Sequence, residues 1–247
     1  MLENLLLVWI LIGVITFFSL FKLTAPYGRH IKAGWGYEVS ARLGWVVMES
    51  PTIFIILGFA FFFKDIFTIT HYVFLLIWLL HYVHRTLIWP FIAEMRGKKM
   101  PIAIPASAFC FNLVNVPIQG YFILGSTSYT SSWLTNPVFI IGLVIFMLGM
   151  SINIISDYYL IRLRKKLGPG YHLPNKYLFK YISSPNYFGE MIEWLGWAIL
   201  TWSYAGLIFF IWTVANLFPR AIANHKWYQN KFENYPKNRK AIIPGII

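Results

Sequence analysis

Hydrophobic residues fall into seven long runs along the chain, and polar residues separate one run from the next. The runs cover residues 5–21, 46–63, 69–92, 102–124, 137–161, 187–200 and 207–218. A helix needs about 20 mostly apolar residues to cross a bilayer, and about 17 can suffice. The pattern therefore predicts an all-α integral membrane protein with seven transmembrane helices. The last two runs are short, so we expect those helices to be tilted or only partly embedded.

Basic residues are concentrated in alternate connections between these runs. Nearly all of the 21 Lys and Arg residues follow the first, third, fifth or seventh run. Loops rich in Lys and Arg remain on the cytoplasmic side of a membrane. The distribution predicts an outside N-terminus, a cytoplasmic loop over residues 162–186 and a cytoplasmic tail over residues 219–247. Topology and lipid headgroups explain the net charge of +12, so nucleic acid is not an expected partner.

Composition agrees with a membrane protein, because 58% of the residues are hydrophobic and only 12% are charged. Soluble domains carry about 25% charged residues. The single Cys110 excludes an internal disulfide. The sequence contains no internal repeat and no Rossmann, Walker or CxxC motif. We therefore expect one membrane domain over residues 1–247, without a metal site.

The third run carries several polar side chains where a membrane helix is normally apolar. The segment HYVHR at 81–85 holds a phenol, two imidazoles and a guanidinium. Ionisable groups at membrane depth are costly and are functional candidates by default. Trp78, Tyr82, Arg85 and Trp89 share one face of a helix, since residues three or four apart are neighbours. This stripe is either a packing feature or a proton donor placed beside a cation.

Glu49 is the only carboxylate in the second run, and Pro51 follows it closely. One interpretation is that its carboxylate satisfies free amides at a helix N-terminus. In the other, burial among apolar groups favours the neutral acid, which can donate a hydrogen bond to a carbonyl oxygen.

Three further segments place polar residues four apart near the predicted cytoplasmic ends of helices. The stripes are Asn153 and Asp157 followed by Arg164; Asn186, Glu190 and Trp194; and Arg220, Asn224 and Tyr228. Each stripe alone could be an ordinary solvated face. Together with many cationic side chains, they indicate a large anionic ligand bound between helices. A nucleotide cofactor fits, because Lys and Arg make charge-assisted hydrogen bonds to phosphate.

Seven short stretches carry a resemblance to one known family. They read YGRH at 27–30, ARLGWVVMESP at 41–51, HYVHRT at 81–86, QGYF at 119–122, LGMSINIISDYYLIRLRK at 148–165, YISSPNYFGEMIEWLGWA at 181–198 and FENYPKNRKAIIPGII at 232–247. In this order they resemble the steroid 5α-reductase family of membrane oxidoreductases. The resemblance runs from about residue 27 to the end, and we interpret the chain as a microbial member.

The resemblance implies an activity and a catalytic pair. Family members use NADPH to reduce the 4,5 double bond of 3-oxo-Δ4-steroids, with hydride transfer to C5. Their catalytic Glu and Tyr, which hydrogen-bond the 3-keto oxygen, fall on Glu49 and Tyr82. Trp45 is carried over as a further substrate-binding residue. Seven transmembrane helices are also typical of the family.

The resemblance also implies the residues that bind NADPH. These family positions fall on Tyr27, Asn153, Asp157, Arg164, Tyr171, His172, Asn186, Glu190, Trp194, Arg220, Asn224 and Tyr228. Most of them belong to the three polar stripes found from helical spacing. Arg164, Lys165 and Arg220 are unranked candidates for contact with the 2′-phosphate.

The chain departs from the family pattern in three places. Met48 stands where animal members have a Gln, and we expect this change to alter the orientation of Glu49 or the choice of steroid. His172 replaces a usual Arg, and His225 follows Asn224 instead of lying in a run of histidines. We expect these two changes to alter details of the contacts with the cofactor.

Other functions share part of this pattern. The C-terminal half would look similar in a polyprenol reductase, an enoyl-thioester reductase or an isoprenylcysteine methyltransferase. A small transporter is a further alternative, although transporters often show internal repeats. We expect a steroid or sterol-like enone as substrate, the lipid bilayer as the surrounding partner, and a monomer. The membrane would be the cell inner membrane of a bacterium or the endoplasmic reticulum of a eukaryote.

Overall fold

The structure, a computed structural model, describes residues 2–32 and 34–247, and among them the side chains from Leu6 onward. The helices are α1 (Leu2–Lys22), α2 (Ala41–Phe62), α3 (Ile69–Val83), α4 (Trp89–Ile92), α5 (Ala103–Gln119), α6 (Pro137–Leu167), α7 (Pro185–Thr201) and α8 (Tyr204–Lys231). A π-helical turn, His84–Ile88, joins α3 to α4, and a second, Gly120–Leu124, follows α5.

The all-α membrane class predicted from the sequence is confirmed. Within the described residues, five helical stretches are long and apolar enough to cross a membrane. They are Ala41–Phe62, Ile69–Ile92, Ala103–Leu124, Pro137–Leu167 and Tyr204–Lys231. Helices α1 and α7 are apolar as well, and the count of seven spans stays a prediction.

Two helices extend beyond the apolar runs that predicted them. Helix α6 continues from residue 161 to Leu167, and α8 continues from residue 218 to Lys231. The predicted loop 162–186 and tail 219–247 therefore both begin inside a helix. Hydrophobicity falls where a helix leaves the apolar layer, but its backbone hydrogen bonds continue. As a result, the stripe of Arg220, Asn224 and Tyr228 lies on one regular helix.

The contacts group the chain into two compact units. The first contains α1 together with residues 141–200 and 206–247. The second contains α2 to α5 and the loops around them, within residues 25–140, together with residues 201–205.

The second unit contains a small antiparallel sheet that the sequence pattern did not reveal. Strand β1 (Glu38–Ser40) pairs with β2 (Lys99–Pro101), with Val39 opposite Met100. Strands of three residues are too short to show alternation. The sheet ties the start of α2 to the segment that precedes α5, and a buried cluster of Ala41, Trp45, Met48 and Met100 covers it.

In the first unit, α6 and α7 pack with their backbones in near contact. A Cβ built on Gly149 would lie 2.2 Å from the Glu193 nitrogen, and one on Gly189 would lie 2.5 Å from the Asn153 nitrogen. Gly142 and Gly196 make the same approach one heptad away. Small residues permit this close packing of membrane helices. The glycines therefore set the distance between the polar stripes of α6 and α7.

The orientation in the membrane can be tested directly. A tag inserted after Ser128 should react with an impermeant reagent in intact cells, because the distribution of basic residues predicts that this loop lies outside. A tag after Ile247 should react only after permeabilisation. The reverse pattern of labelling would overturn the predicted orientation.

Candidate functional site

Two hydrogen bonds fix the register of α2 against α3. The Trp78 indole nitrogen donates to the Thr52 carbonyl oxygen at 2.9 Å. The Trp45 indole nitrogen donates to the Arg85 carbonyl oxygen at 3.2 Å. Trp45 of α2 pairs with Arg85, whereas Thr52, later in α2, pairs with Trp78, which comes earlier in the chain than Arg85. The two helices are therefore antiparallel, and the two bonds bracket one stretch of their interface.

Glu49 and Tyr82 lie inside this bracket. Glu49 is four residues after Trp45 and three before Thr52, so it shares their face of α2. Tyr82 is four residues after Trp78 and three before Arg85, so it shares the facing surface of α3. Tyr82 is only 5% exposed, and Glu49 is partly buried. The register places the two side chains level with each other on helix faces that pack together.

The backbone on both sides of Glu49 is held by side chains. Pro51 lies inside α2 and cannot donate to the Val47 carbonyl, and the Ser50 hydroxyl donates to that carbonyl instead at 2.9 Å. The Thr52 hydroxyl donates to the Glu49 carbonyl at 2.5 Å. These local bonds satisfy the carbonyls around the proline and fix the position from which the Glu49 side chain extends.

Met48 contributes its backbone to this arrangement. The Asn112 amide of α5 donates to the Met48 carbonyl oxygen at 2.7 Å, while the Met48 side chain is buried beside Trp45 and Met100. The residue that replaces the Gln of animal family members therefore fills a core position, and Asn112 anchors the helix next to Glu49.

Arg85 lies among aromatic rings, which explains how a cation is accommodated within a predicted membrane helix. Its guanidinium carbon is 4.6 Å from the Trp45 ring centroid and 5.0 Å from that of Trp89. Cation–π contact stabilises a guanidinium that has left bulk water. Arg85 also lies in the π-helical turn His84–Ile88, and such turns are frequent at functional sites. His81 is buried, and its ring lies steeply inclined to the Tyr82 ring, with the two ring centroids 4.8 Å apart.

In the first unit, the polar stripes of α6 and α7 interlock. The Asn153 amide donates to the Asn186 carbonyl at 3.0 Å and to the Glu190 carboxylate at 3.2 Å. The Asn186 amide donates to the Asp157 carboxylate at 2.9 Å. Helical spacing placed these four residues on two stripes, and the structure brings the stripes together. A carboxylate can accept several hydrogen bonds, and a carboxamide both donates and accepts them.

The third stripe, on α8, is also buried and joined to α7. Arg220 donates from Nε to the Tyr187 hydroxyl at 3.1 Å, and the Asn224 amide donates to the Ser184 hydroxyl at 3.4 Å. Arg220, Asn224 and Tyr228 are each at least nine-tenths buried. A solvated helix face would be exposed, so this stripe is part of the protein interior.

Three more of the predicted cofactor residues lie near the end of α6 or in the segment after it. The Arg164 guanidinium lies over the Tyr171 ring at 5.5 Å, and Tyr171 contacts Trp227 at 5.2 Å. His172 bonds through Nε2 to the Gly168 carbonyl oxygen at 2.9 Å. Two further predicted residues have other surroundings. Trp194 is fully buried against Phe209, and Tyr27, in the second unit, is partly buried before the short turn Gly28–His30.

Arg239 is a candidate that sequence reasoning missed. It is only 4% exposed, and among the described residues its Nε and Nη1 atoms have no hydrogen-bond partner. Its guanidinium lies 5.1 Å from the Tyr235 ring centroid, and burial lowers its pKa. The backbone next to it, at Lys240, pairs with Ile182 just before α7. Only the burial of this residue, in the predicted cytoplasmic tail, marks it as an anion-binding candidate.

Comparison with known proteins identifies related sequences. The model of the family described as 3-oxo-5-alpha-steroid 4-dehydrogenase matches residues 98–247. A steroid 5-alpha-reductase DET2 from Arabidopsis thaliana is 46% identical over 236 residues, covering 91% of this chain and 88% of the relative. The 3-oxo-5-alpha-steroid 4-dehydrogenase 1 of Bos taurus is 38% identical, covering 96% and 93%. The Homo sapiens protein of that name is also 38% identical, covering 92% and 88%.

Proposed function

The chain belongs to the 3-oxo-5-alpha-steroid 4-dehydrogenase family, and from this membership we propose that it reduces the 4,5 double bond of 3-oxo-Δ4-steroids with NADPH. The observation that carries the proposal is the α2–α3 register, which sets Glu49 level with Tyr82. A carboxylic acid and a phenol can each donate one hydrogen bond. Two donors on facing helices suit a single carbonyl oxygen, which has two lone pairs.

The role of this pair is to stabilise charge on the 3-keto oxygen. When a hydride adds to C5 of the enone, negative charge moves through C4 and C3 to that oxygen. Donors that are already in position lower the energy of this charge, because they need no reorganisation as it develops. Glu49 and Tyr82 extend from helices anchored at Met48, Thr52 and Arg85, which supports a role as donors that are in position before the substrate binds. The enolate then takes a proton at C4 from solvent.

The residues of the first unit fit NADPH, which would supply the hydride. The stripes offer amide donors at Asn153, Asn186 and Asn224, and acceptors at Asp157 and Glu190 for hydroxyl and amide groups. Phosphates need cations, and Arg239 has buried N–H groups without a described partner. Arg239 therefore joins Arg164 and Arg220 as a residue that would hold the phosphates.

Cofactor binding should be sensitive to the interlocked stripes. Asp157→Ala or Asn186→Ala should each weaken NADPH binding by about 10-fold, since each removes one member of a hydrogen-bonded pair and leaves the other member without it. Fluorescence titration with NADPH would measure the dissociation constant. Ser151→Ala, on the exposed side of α6, is the matched control. An NADPH dissociation constant unchanged from the wild type would remove these residues from the cofactor site.

Isotope labelling tests the proposed reaction. Purified protein is incubated with NADPH deuterated on the reactive carbon and with testosterone or progesterone, and products are compared with 5α and 5β standards by mass spectrometry. We expect the 5α-dihydro product with deuterium at C5 and a solvent hydrogen at C4. Absence of any reduced steroid, with NADPH still bound, would reject this substrate class and direct attention to polyprenals or enoyl thioesters.

A further inference from the structure

Asn115 on α5 is a buried amide that the fold does not use. Its exposure is 0%, and neither its amide nitrogen nor its amide oxygen has a hydrogen-bond partner in the part of the chain that the structure describes. A carboxamide offers two donors and an acceptor with two lone pairs. Burying all of them without partners costs free energy and is rare in folded proteins.

The other amides on this face of α5 are used internally. Asn112 donates to the Met48 carbonyl at 2.7 Å, and Gln119 donates to the Ala205 carbonyl at 2.8 Å. Both amides therefore hold backbone groups of neighbouring segments in place. Asn115 lies between them on the same face, three residues after one and four before the other. Of these three amides, only Asn115 has no hydrogen-bond partner among the described residues.

The packing of α5 on α2 places Asn115 near the candidate catalytic pair. Asn112 is level with Met48, and Gly120 approaches Phe59, so α5 runs parallel to α2. Asn115 then lies about one turn past Met48 along α2. Helical side chains lean towards the N-terminus, which directs this amide back towards the level of Glu49. Asn115, Glu49 and Tyr82 therefore belong to the same unit, and Asn115 lies beside the stretch of α2 that carries Glu49.

The chemistry of the substrate suggests what the amide binds. A keto oxygen has two lone pairs, and in the proposed reaction Glu49 and Tyr82 occupy both. The Asn115 amide is then available for another group. Because it both donates and accepts, it suits a hydroxyl or a keto oxygen equally well. The class of ligand that fits is a steroid with a second oxygen away from the enone.

We propose that Asn115 hydrogen-bonds a second oxygen of the steroid and so favours oxygenated substrates over those whose only oxygen is the enone carbonyl. The inference rests on the proposed function and adds a specificity-determining residue to it. It also gives a reason for the cost of the buried amide, because sites that bind an oxygen reject analogues that lack it.

The test compares substrates that differ in one oxygen. Androst-4-en-3-one carries only the enone oxygen, testosterone adds a hydroxyl, and progesterone adds a side-chain ketone. In Asn115→Leu, kcat/KM should fall roughly 10-fold for testosterone or progesterone, since the second oxygen loses its partner. The loss should appear mainly in KM, as expected for binding used equally in the ground and transition states. The value for androst-4-en-3-one should remain near that of the wild type.

A matched variant separates substrate binding from packing. Gln119→Leu removes an amide that holds the Ala205 carbonyl, so it should lower thermal stability and leave the ratio between substrates unchanged. If Asn115→Leu does not fold, Asn115→Ala is smaller and replaces it. A wild-type enzyme that reduces these steroids, with a uniform loss or no loss in the Asn115 variants, would overturn the inference alone. A wild-type protein inactive on every enone would overturn the proposed function itself.

Discussion

Glu49→Gln and Tyr82→Phe should each lower kcat by about 100- to 1,000-fold. Removal of one preorganised donor to a developing oxyanion costs about 2.7–4 kcal/mol of transition-state stabilisation. Both substitutions preserve side-chain size. Phe leaves one lone pair of the oxygen without a donor, and Gln offers a weaker donor than a carboxylic acid. Steady-state kinetics with testosterone and saturating NADPH would measure the loss.

The chain offers close controls for this experiment. Tyr72→Phe makes the same change on an exposed face of α3, and Glu94→Gln makes the same change outside the helices. Both controls should keep wild-type turnover, and all four variants should bind NADPH with nearly the wild-type dissociation constant. In the double variant, the loss should be smaller than the product of the two single losses, because the donors act on one oxygen. Turnover at the wild-type rate in either single variant would exclude that residue from the mechanism.

Gly149→Ala should destabilise the protein severely. The added Cβ would lie 2.2 Å from the Glu193 nitrogen and 2.6 Å from the Gly189 oxygen. These are backbone atoms, so relief requires α6 and α7 to separate. Overpacking of this kind costs about 3 kcal/mol or more, which corresponds to a fall of roughly 10 °C in the apparent Tm. Thermal unfolding in detergent, followed by the fraction that remains monodisperse, would measure it.

Gly58→Ala is the control for this prediction. Gly58 lies inside α2, and nothing is within 4 Å of a Cβ built there. Ala is favoured over Gly in a helix by about 0.5–1 kcal/mol, so this variant should be as stable as the wild type or slightly more stable. The Gly149 variant should also bind NADPH poorly, because separation of the helices breaks the bond from Asn153 to Asn186. An unchanged Tm for Gly149→Ala would show that α6 and α7 are not packed this closely.

The sequence predicted the membrane class and the candidate residues for simple physical reasons. Apolar runs report on burial in lipid, and spacing by three or four residues reports on helix faces. These rules place Glu49 on one face with Trp45, and Tyr82 on one face with Trp78. The resemblance to a family then indicated that Glu49 and Tyr82 act together on one substrate oxygen. Spacing within a single helix cannot supply such a pairing, because it depends on the register between helices.

Features that depend on contacts between helices could not be read from the pattern. The stripes of α6 and α7 bond to each other because four glycines allow close approach, and no single-helix rule states this. Arg239 lies in the predicted cytoplasmic tail, and only its burial reveals it. The extension of α8 to Lys231 was missed because hydrophobicity ends before the helix does.

Glu49 and Tyr82 are proposed to polarise the enone carbonyl of the substrate. The stretching frequency of that carbonyl measures the polarisation most directly. A 3-oxo-Δ4-steroid labelled with ¹³C at C3 is bound to the protein with NADP⁺, which prevents turnover, and an infrared difference spectrum is recorded against unlabelled steroid. We expect the bound carbonyl to absorb at a lower frequency than in an apolar solvent. It should shift back upward in Glu49→Gln and in Tyr82→Phe. A frequency equal to that in apolar solvent, and the same in all three proteins, would contradict the account.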